Sequence, residues 1–256
     1  MSGNWWRGIC GAGTMMDIQR KDIHNSDIPV VCRSCEARHG GVCGVLSPQQ
    51  LVELSKHSTR KMVHAGNEVV GQGERVASYS NILKGVIKLS KMMSDGRQQI
   101  VGLQFAPDFI GRPFHHESTL SAEAATDTEV CVFPKPVIER LVNESPGLGH
   151  QLHNQALKEL DEARDWMLTL GRKTAQEKVA SFLYLIATHL DPEKGESMTY
   201  ELPLSRADIA DFLGLTIETV SRQMTKLRKD GIIQIENNRL VTVPDMERLR
   251  RASGND

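Results

Sequence analysis

The chain has 256 residues, with 31 Lys and Arg against 32 Asp and Glu and a net charge of −1. Its 39% apolar content is ordinary for a globular protein, and the length allows two domains with real cores. This balance excludes a uniformly basic nucleic-acid binder, so any DNA affinity must come from a local patch.

No apolar run approaches membrane-span length. The N-terminus has no apolar core of signal-peptide type, so the expectation is a cytoplasmic protein. Residues 1–31 read as a mobile N-terminal segment, with Met15 and Met16 as alternative starts. Five cysteines, an odd number, argue against a disulfide framework. Cys32, Cys35 and Cys43 make a C-x2-C-x7-C pattern. Three soft thiolates so close in sequence suit zinc or an iron–sulfur cluster. Tetrahedral zinc could take His39 as its fourth ligand, whereas a cubane cluster could take the distant Cys131; spacing alone leaves both open. Arg33 and Arg38 would offset thiolate charge. On its own, Cys131 reads as a small core residue of a strand. Cys10 is expected not to be a ligand.

Ser47-Pro48-Gln49-Gln50-Leu51-Val52-Glu53-Leu54 predicts a short helix with Ser as N-cap, Pro at N1 and Gln at N3. From about residue 60 to 134 the pattern changes to short apolar stretches. Val69-Val70, Ile82-Leu83, Val86–Leu89, Ile100–Leu103 and Val130–Phe133 are strand candidates, separated by turns at Gly66-Asn67, Lys84-Gly85, Asp95-Gly96 and Pro107-Asp108. Asp95-Gly96 marks a hairpin, and so many closely spaced strands suggest a β-roll or barrel. Residues 32–145 are therefore assigned to a cluster-binding loop and a β-roll. His115-His116-Glu117 is read as loop, and Asp161, Glu162 and Asp165 as a solvated helix face.

Residues 146–171 predict one long helix beginning near Pro146. Leu152, Ala156, Leu160, Ala163, Met167 and Leu170 recur at spacings of a coiled-coil seam. We read it as a dimerisation helix, because helix-turn-helix proteins work as dimers on two half-sites.

Residues 172–256 form a second domain. Ala175–His189 predicts an apolar-periodic helix and Tyr200–Leu204 a strand. Ser205–Leu213, with its acidic N3 residue, is the first helix of a helix-turn-helix, and Gly214 supplies the turn. In the next helix Glu218, Ser221 and Arg222 fall at i, i+3 and i+4 on one face, beside Thr219. Arg suits guanine, Glu can accept from cytosine N4, and Lys226, Arg228 and Lys229 are placed for phosphates. Ile232–Ile235, Asn237-Asn238 and Leu240–Val243 predict a hairpin wing. No Ser/His/Asp arrangement, P-loop or dinucleotide fingerprint is present, so an enzyme is not expected.

The order of cysteine cluster, β-roll, long helix and winged helix-turn-helix, an α+β architecture, resembles the CRP/FNR superfamily of bacterial regulators. Over roughly residues 30 to 250 it is similar to the FNR-type branch with rhizobial FixK and FnrN proteins. Leu213-Gly214-Leu215-Thr216-Ile217-Glu218-Thr219-Val220-Ser221-Arg222 matches the FNR recognition helix, and Thr128–Pro134 carries Cys131 where that family has its distant ligand. The resemblance implies a [4Fe-4S] cluster on Cys32, Cys35, Cys43 and Cys131 that favours a homodimer without oxygen. It also implies binding to a palindromic TTGAT-N4-ATCAA operator, and RNA polymerase as partner. Cyclic-nucleotide receptors carry a glutamate and an arginine that Phe109-Ile110-Gly111-Arg112-Pro113 and Leu120-Ser121-Ala122 lack, so no cyclic nucleotide is expected. The alternatives are a protein whose zinc is structural, or an iron–sulfur protein whose metal transfers electrons.

Overall fold

The computed structural model of the chain describes residues 28–33, 35–190 and 197–254. Residues 1–27, with Cys10, lie outside the described residues. The end of the segment expected to be mobile is instead packed: Ile28 is buried in the core, and α1 (Val30–Arg33) starts within it. Helix α2 (Glu36–His39) and a 3-10 turn at Val42–Val45 follow, then α3 (Pro48–His57). Ser47 caps α3 as its sequence requires. Its Oγ accepts from the Gln50 amide at 3.2 Å, and the Gln50 Oε1 accepts from the Ser47 amide at 2.9 Å.

The roll comprises β1 (Thr59–Val63), β2 (Glu68–Val70), β3 (Ser78–Lys84), β4 (Val86–Met92), β5 (Gln98–Phe105), β6 (Phe109–Ile110), β7 (Ser121–Ala124) and β8 (Thr128–Pro134). They pair antiparallel in two four-stranded sheets, ordered β1-β8-β3-β6 and β2-β7-β4-β5. Val63, Ile82, Ile87, Ala122, Ala124 and Val130 pack together between the sheets. The outer face of the first sheet, with Tyr79 and Phe133, is covered by the cysteine segment, by α3 and by α4 (Lys135–Glu144). The sequence reading omitted β1, β6, β7 and α4. Four of the five β1 side chains are exposed, so β1 lacks the apolar alternation that marks a strand, and β7 is Ser-Ala-Glu-Ala, whose buried positions are only the small Ala122 and Ala124.

Helix α5 (Pro146–Arg172) has 27 residues and is about 40 Å long. After it come α6 (Ala175–Leu190), β9 (Met198–Glu201), α7 (Arg206–Leu213), α8 (Ile217–Lys229), β10 (Gln234–Glu236), β11 (Leu240–Val243) and α9 (Met246–Ala252). The predicted strand 200–204 ends at Glu201, because Leu202 and Leu204 turn into the core. The wing begins only at Gln234, because Ile232 and Ile233 are buried against the helices rather than paired. Asn237 and Asn238 both adopt positive φ, 49° and 59°, the left-handed backbone that asparagine tolerates, in a turn where the Arg239 amide donates to the Glu236 carbonyl at 3.1 Å. Strand β9 closes a three-stranded sheet ordered β10-β11-β9.

The C-terminal domain is docked on the roll. Val86, Ile100 and Phe105 of the second sheet share one core with Phe182, Ile209, Phe212 and Leu213. Phe105 stacks on His189 at 4.5 Å, and Trp166 of α5 meets Phe212 at 4.4 Å between ring centroids.

Candidate nucleic-acid interface and cysteine site

Helix α7 opens on a capping box of Ser205 and Asp208 and closes on Gly214, whose φ of 60° places it in the left-handed region that glycine tolerates. Thr216 then caps α8, its Oγ1 accepting from the Thr219 amide at 3.2 Å. Val220, Met224 and Leu227 are buried at i, i+4 and i+7, which fixes the rotation of α8 against its own domain. Glu218, Ser221, Arg222 and Lys226 are consequently all exposed on the opposite side, with Thr225 among them and Thr219 half-buried beside them. The geometry thus brings the predicted reader residues together on one solvent face.

Arg222 Nη2 donates to Thr219 Oγ1 at 3.4 Å, a long bond that a base can readily replace. The Glu218 carboxyl is held below its ordinary range, first by its own backbone amide at the helix start and then by Thr216, so at neutral pH it is an acceptor only. At the far end of α8 the Asp230 carbonyl accepts from Arg248 Nη2 at 2.6 Å. Arg206 Nη2 donates to the Asn238 carbonyl at 3.2 Å, which ties the wing tip to α7.

Of the proposed seam on α5, Ala156, Leu160, Ala163 and Met167 are exposed, while Leu152 and Leu170 are half-buried, Leu152 against the chain's own core. Leu157 and Leu168, outside the predicted seam, are exposed as well. The unpartnered apolar stripe is therefore wider than the heptad reading and is centred nearer the C-terminal end of the helix.

The cysteine segment folds back on the roll at β8. Gly41 permits this: a Cβ there would stand 2.8 Å from the Pro107 carbonyl oxygen and 2.9 Å from that of Ala37. Cys131 lies in register between Arg60 on β1 and Asn81 on β3, and cross-strand partners share a face. Arg60 Nη2 donates to the Val31 carbonyl at 2.6 Å, beside Cys32, and Asn81 Nδ2 donates to Cys43 Sγ at 3.2 Å. Cys32, Cys35, Cys43 and Cys131 are all free thiols, near enough to influence one another's ionisation.

Burial dominates that influence. It pushes Cys43 up to about 12, with Cys131 and Cys35 adding to the rise and Asn81 opposing it. It pushes Cys131 up to about 11, against a hydrogen bond from Ser58. Cys32 is raised too, first by burial and then by Cys35, with Arg60 and Arg38 opposing. These thiols hold their protons at neutral pH and release them only to a group that binds thiolate.

Among the described residues, no three Cys, His, Asp or Glu side chains converge on a point where one metal ion would sit. The zinc set with His39, which is exposed, is thus not assembled. Three soft donors from the cysteine segment and a fourth from β8 fit a group with several anchoring points, such as a cluster, better than one ion. Sequence reasoning missed Arg60 and Asn81. A polar Asn inside the apolar run of β3 was the available signal.

Two family profiles match: the Crp-like helix-turn-helix domain over residues 177–252, and the cyclic nucleotide-binding domain over residues 60–145. Over 236 residues the chain is 63% identical to a probable transcriptional activator of Rhizobium leguminosarum bv. viciae, covering 92% of this chain and 98% of that one. It is 38% identical over 237 residues to the transcriptional activator protein FnrL of Cereibacter sphaeroides, covering 90% and 96% respectively. The solved structure of FixK2 from Bradyrhizobium japonicum superposes with a TM-score of 0.69 at 32% identity, covering 76% of this chain and 96% of that chain.

Proposed function

The chain belongs to the CRP/FNR family of transcriptional regulators, within the branch that includes rhizobial FixK and FnrL, and from that premise we propose that it is an oxygen-responsive activator. It is a DNA-binding protein of the FNR/FixK type, not an enzyme. In this reading Cys32, Cys35, Cys43 and Cys131 hold a [4Fe-4S] cluster, and a homodimer formed along α5 reads TTGAT-N4-ATCAA operators when oxygen is low. RNA polymerase is then the partner in activation. When bound, the cluster supplies an oxygen-labile link between four separate points of the chain.

The observation that carries the reading is the link between the cysteine segment and the Cys131 row: Asn81 reaches Cys43, and Arg60 reaches the Val31 carbonyl next to Cys32. This point is mechanically connected to the dimer helix. Val42, Cys43 and Leu46 share a core with Leu148 and Leu152, the first turns of α5. Binding a group at the cysteines fixes that contact, and losing it releases the contact. Moving a dimer population from 1:99 to 99:1 takes about 5.5 kcal/mol, which several ligand bonds can supply. A cyclic nucleotide has no part in this reading, since Leu120-Ser121-Ala122 lacks the phosphate-pairing arginine.

The test is anaerobic purification, with iron and sulfide measured per chain and operator binding titrated before and after air. Four irons and four sulfides, with binding that collapses in air, support the proposal. Air-exposed, cluster-free protein that binds as tightly as the anaerobic form overturns it.

A further inference from the structure

We propose that Asn81 is a positioning residue for the cluster: its amide holds the Cys43 sulfur in the coordinated state and sets how readily the cluster is reduced. This rests on the cluster reading above.

Asn81 is fully buried in the middle of β3, with Cys131 as its cross-strand partner. Its Nδ2 donates to Cys43 Sγ at 3.2 Å, while its Oδ1, also buried, has no hydrogen-bond partner among the described residues. A buried amide left half-satisfied is unfavourable, and a neutral thiol is too weak an acceptor to compensate. A thiolate is not: hydrogen bonds to an ionised acceptor are roughly twice as strong. In this orientation the amide donor gains most when Cys43 is a thiolate, which is the state a coordinating cysteine adopts.

Asn81 also has a counterpart. Arg60, on the other side of Cys131, holds the Val31 carbonyl beside Cys32. The row Arg60–Cys131–Asn81 thus places one donor toward each end of the cysteine segment and the fourth thiol between them. Donors to ligand sulfurs stabilise the more negative, reduced form of an iron–sulfur cluster and raise its potential.

The experiment compares wild type with Asn81→Leu, which keeps the branched shape, though not the smaller volume, and removes the donor. Each is reconstituted anaerobically and titrated with dithionite across its one-electron couple. Iron content should match wild type, and the midpoint should fall by about 59 mV, on the order of tenfold in the equilibrium constant. In cluster-free protein, amide exchange across Val42–Leu46 should change by less than about twofold, because the thiol accepts only weakly. If Asn81→Leu does not fold, Asn81→Ala and Asn81→Ser serve instead, with a smaller shift for Ser, which keeps a hydroxyl. An unshifted potential in a fully loaded variant overturns the role of Asn81 and leaves the cluster reading intact. Strongly accelerated exchange in the cluster-free variant overturns it too, by showing a purely structural contact. Wild type that takes up no iron and sulfide overturns the cluster reading itself, and the Asn81 proposal with it.

Discussion

Lys88 is a charged link between the roll and the DNA-reading domain, and its removal should loosen that docking by about 2 kcal/mol, between the values for exposed and for buried ion pairs. Its Nζ lies 2.8 Å from Asp208 Oδ1 on α7 and 3.0 Å from Glu123 Oε1 on β7. The three side chains retain 11%, 24% and 25% exposure for Lys88, Asp208 and Glu123, which is why an intermediate value applies. Lys88→Met also leaves two carboxylates facing each other without the cation between them. Asp208→Asn would be a poorer probe, because Asp208 also completes the capping box of α7. Close by, Gln99 Nε2 donates to the Asp211 carbonyl at 2.5 Å, satisfying a helix-end acceptor of α7 from the roll.

A loss of this size corresponds to roughly 30-fold more frequent opening of the interface. Native-state hydrogen exchange should therefore speed up by about that factor for amides of α7 and of β5 that face it, with the β3–β8 ladder unchanged. Lys88→Arg should be much milder. The pH dependence follows from Asp208. Burial opposes its ionisation, but the hydrogen bonds from Lys88 and Ser205 prevail and hold its carboxyl below the ordinary range. A depressed folded-state value means the contribution is complete above the unfolded value of about 3.9 and is lost only as pH falls through the lower folded value. Exchange referenced to intrinsic rates should thus show no loosening between pH 7 and 5. Unaltered protection of α7 in Lys88→Met would refute the reasoning and leave the docking to the apolar core alone.

Cys131→Ser should abolish cluster content and anaerobic operator binding, and iron analysis checks it; a fully loaded Cys131→Ser protein would contradict the four-ligand set. Leu160→Glu should give a monomer that keeps its fold, because Leu160 is 44% exposed in the single chain; two desolvated carboxylates at the seam should raise the dimer dissociation constant by more than about 100-fold, read by anaerobic sedimentation. Arg222→Ala should cost about 1–3 kcal/mol and relax preference at the G·C pair, whereas Lys226→Ala should weaken all sequences alike and flatten the salt dependence. Titrations on operators varied at each half-site position, at two salt concentrations, separate these outcomes, and equal losses on every operator for Arg222→Ala would make it a phosphate clamp.

The reading unit was legible in the sequence because its determinants are local. Ser205 and Asp208, Gly214, Thr216, and the 3.6-residue rhythm of Val220, Met224 and Leu227 fix two helices and the face that α8 exposes without reference to the rest of the chain. The cap of α3 and the Asp95-Gly96 hairpin were legible for the same reason. Strands β1 and β7 were not, because β1 lacks alternation and β7 buries only two small alanines, so each depends on pairing with its neighbours, β8 for β1 and β2 and β4 for β7. The wing was misplaced by two residues because Ile232 and Ile233 look like strand but pack into the helical core. The cysteine spacing announced soft-ligand chemistry, yet only the tertiary fold decides which backbone segments the thiols approach from, since Cys131 is 88 positions beyond Cys43. Arg60, Asn81 and Lys88 acquire their roles through contacts spanning 29 to 120 residues. Such pairings depend on sheet register and domain docking, which no local pattern encodes.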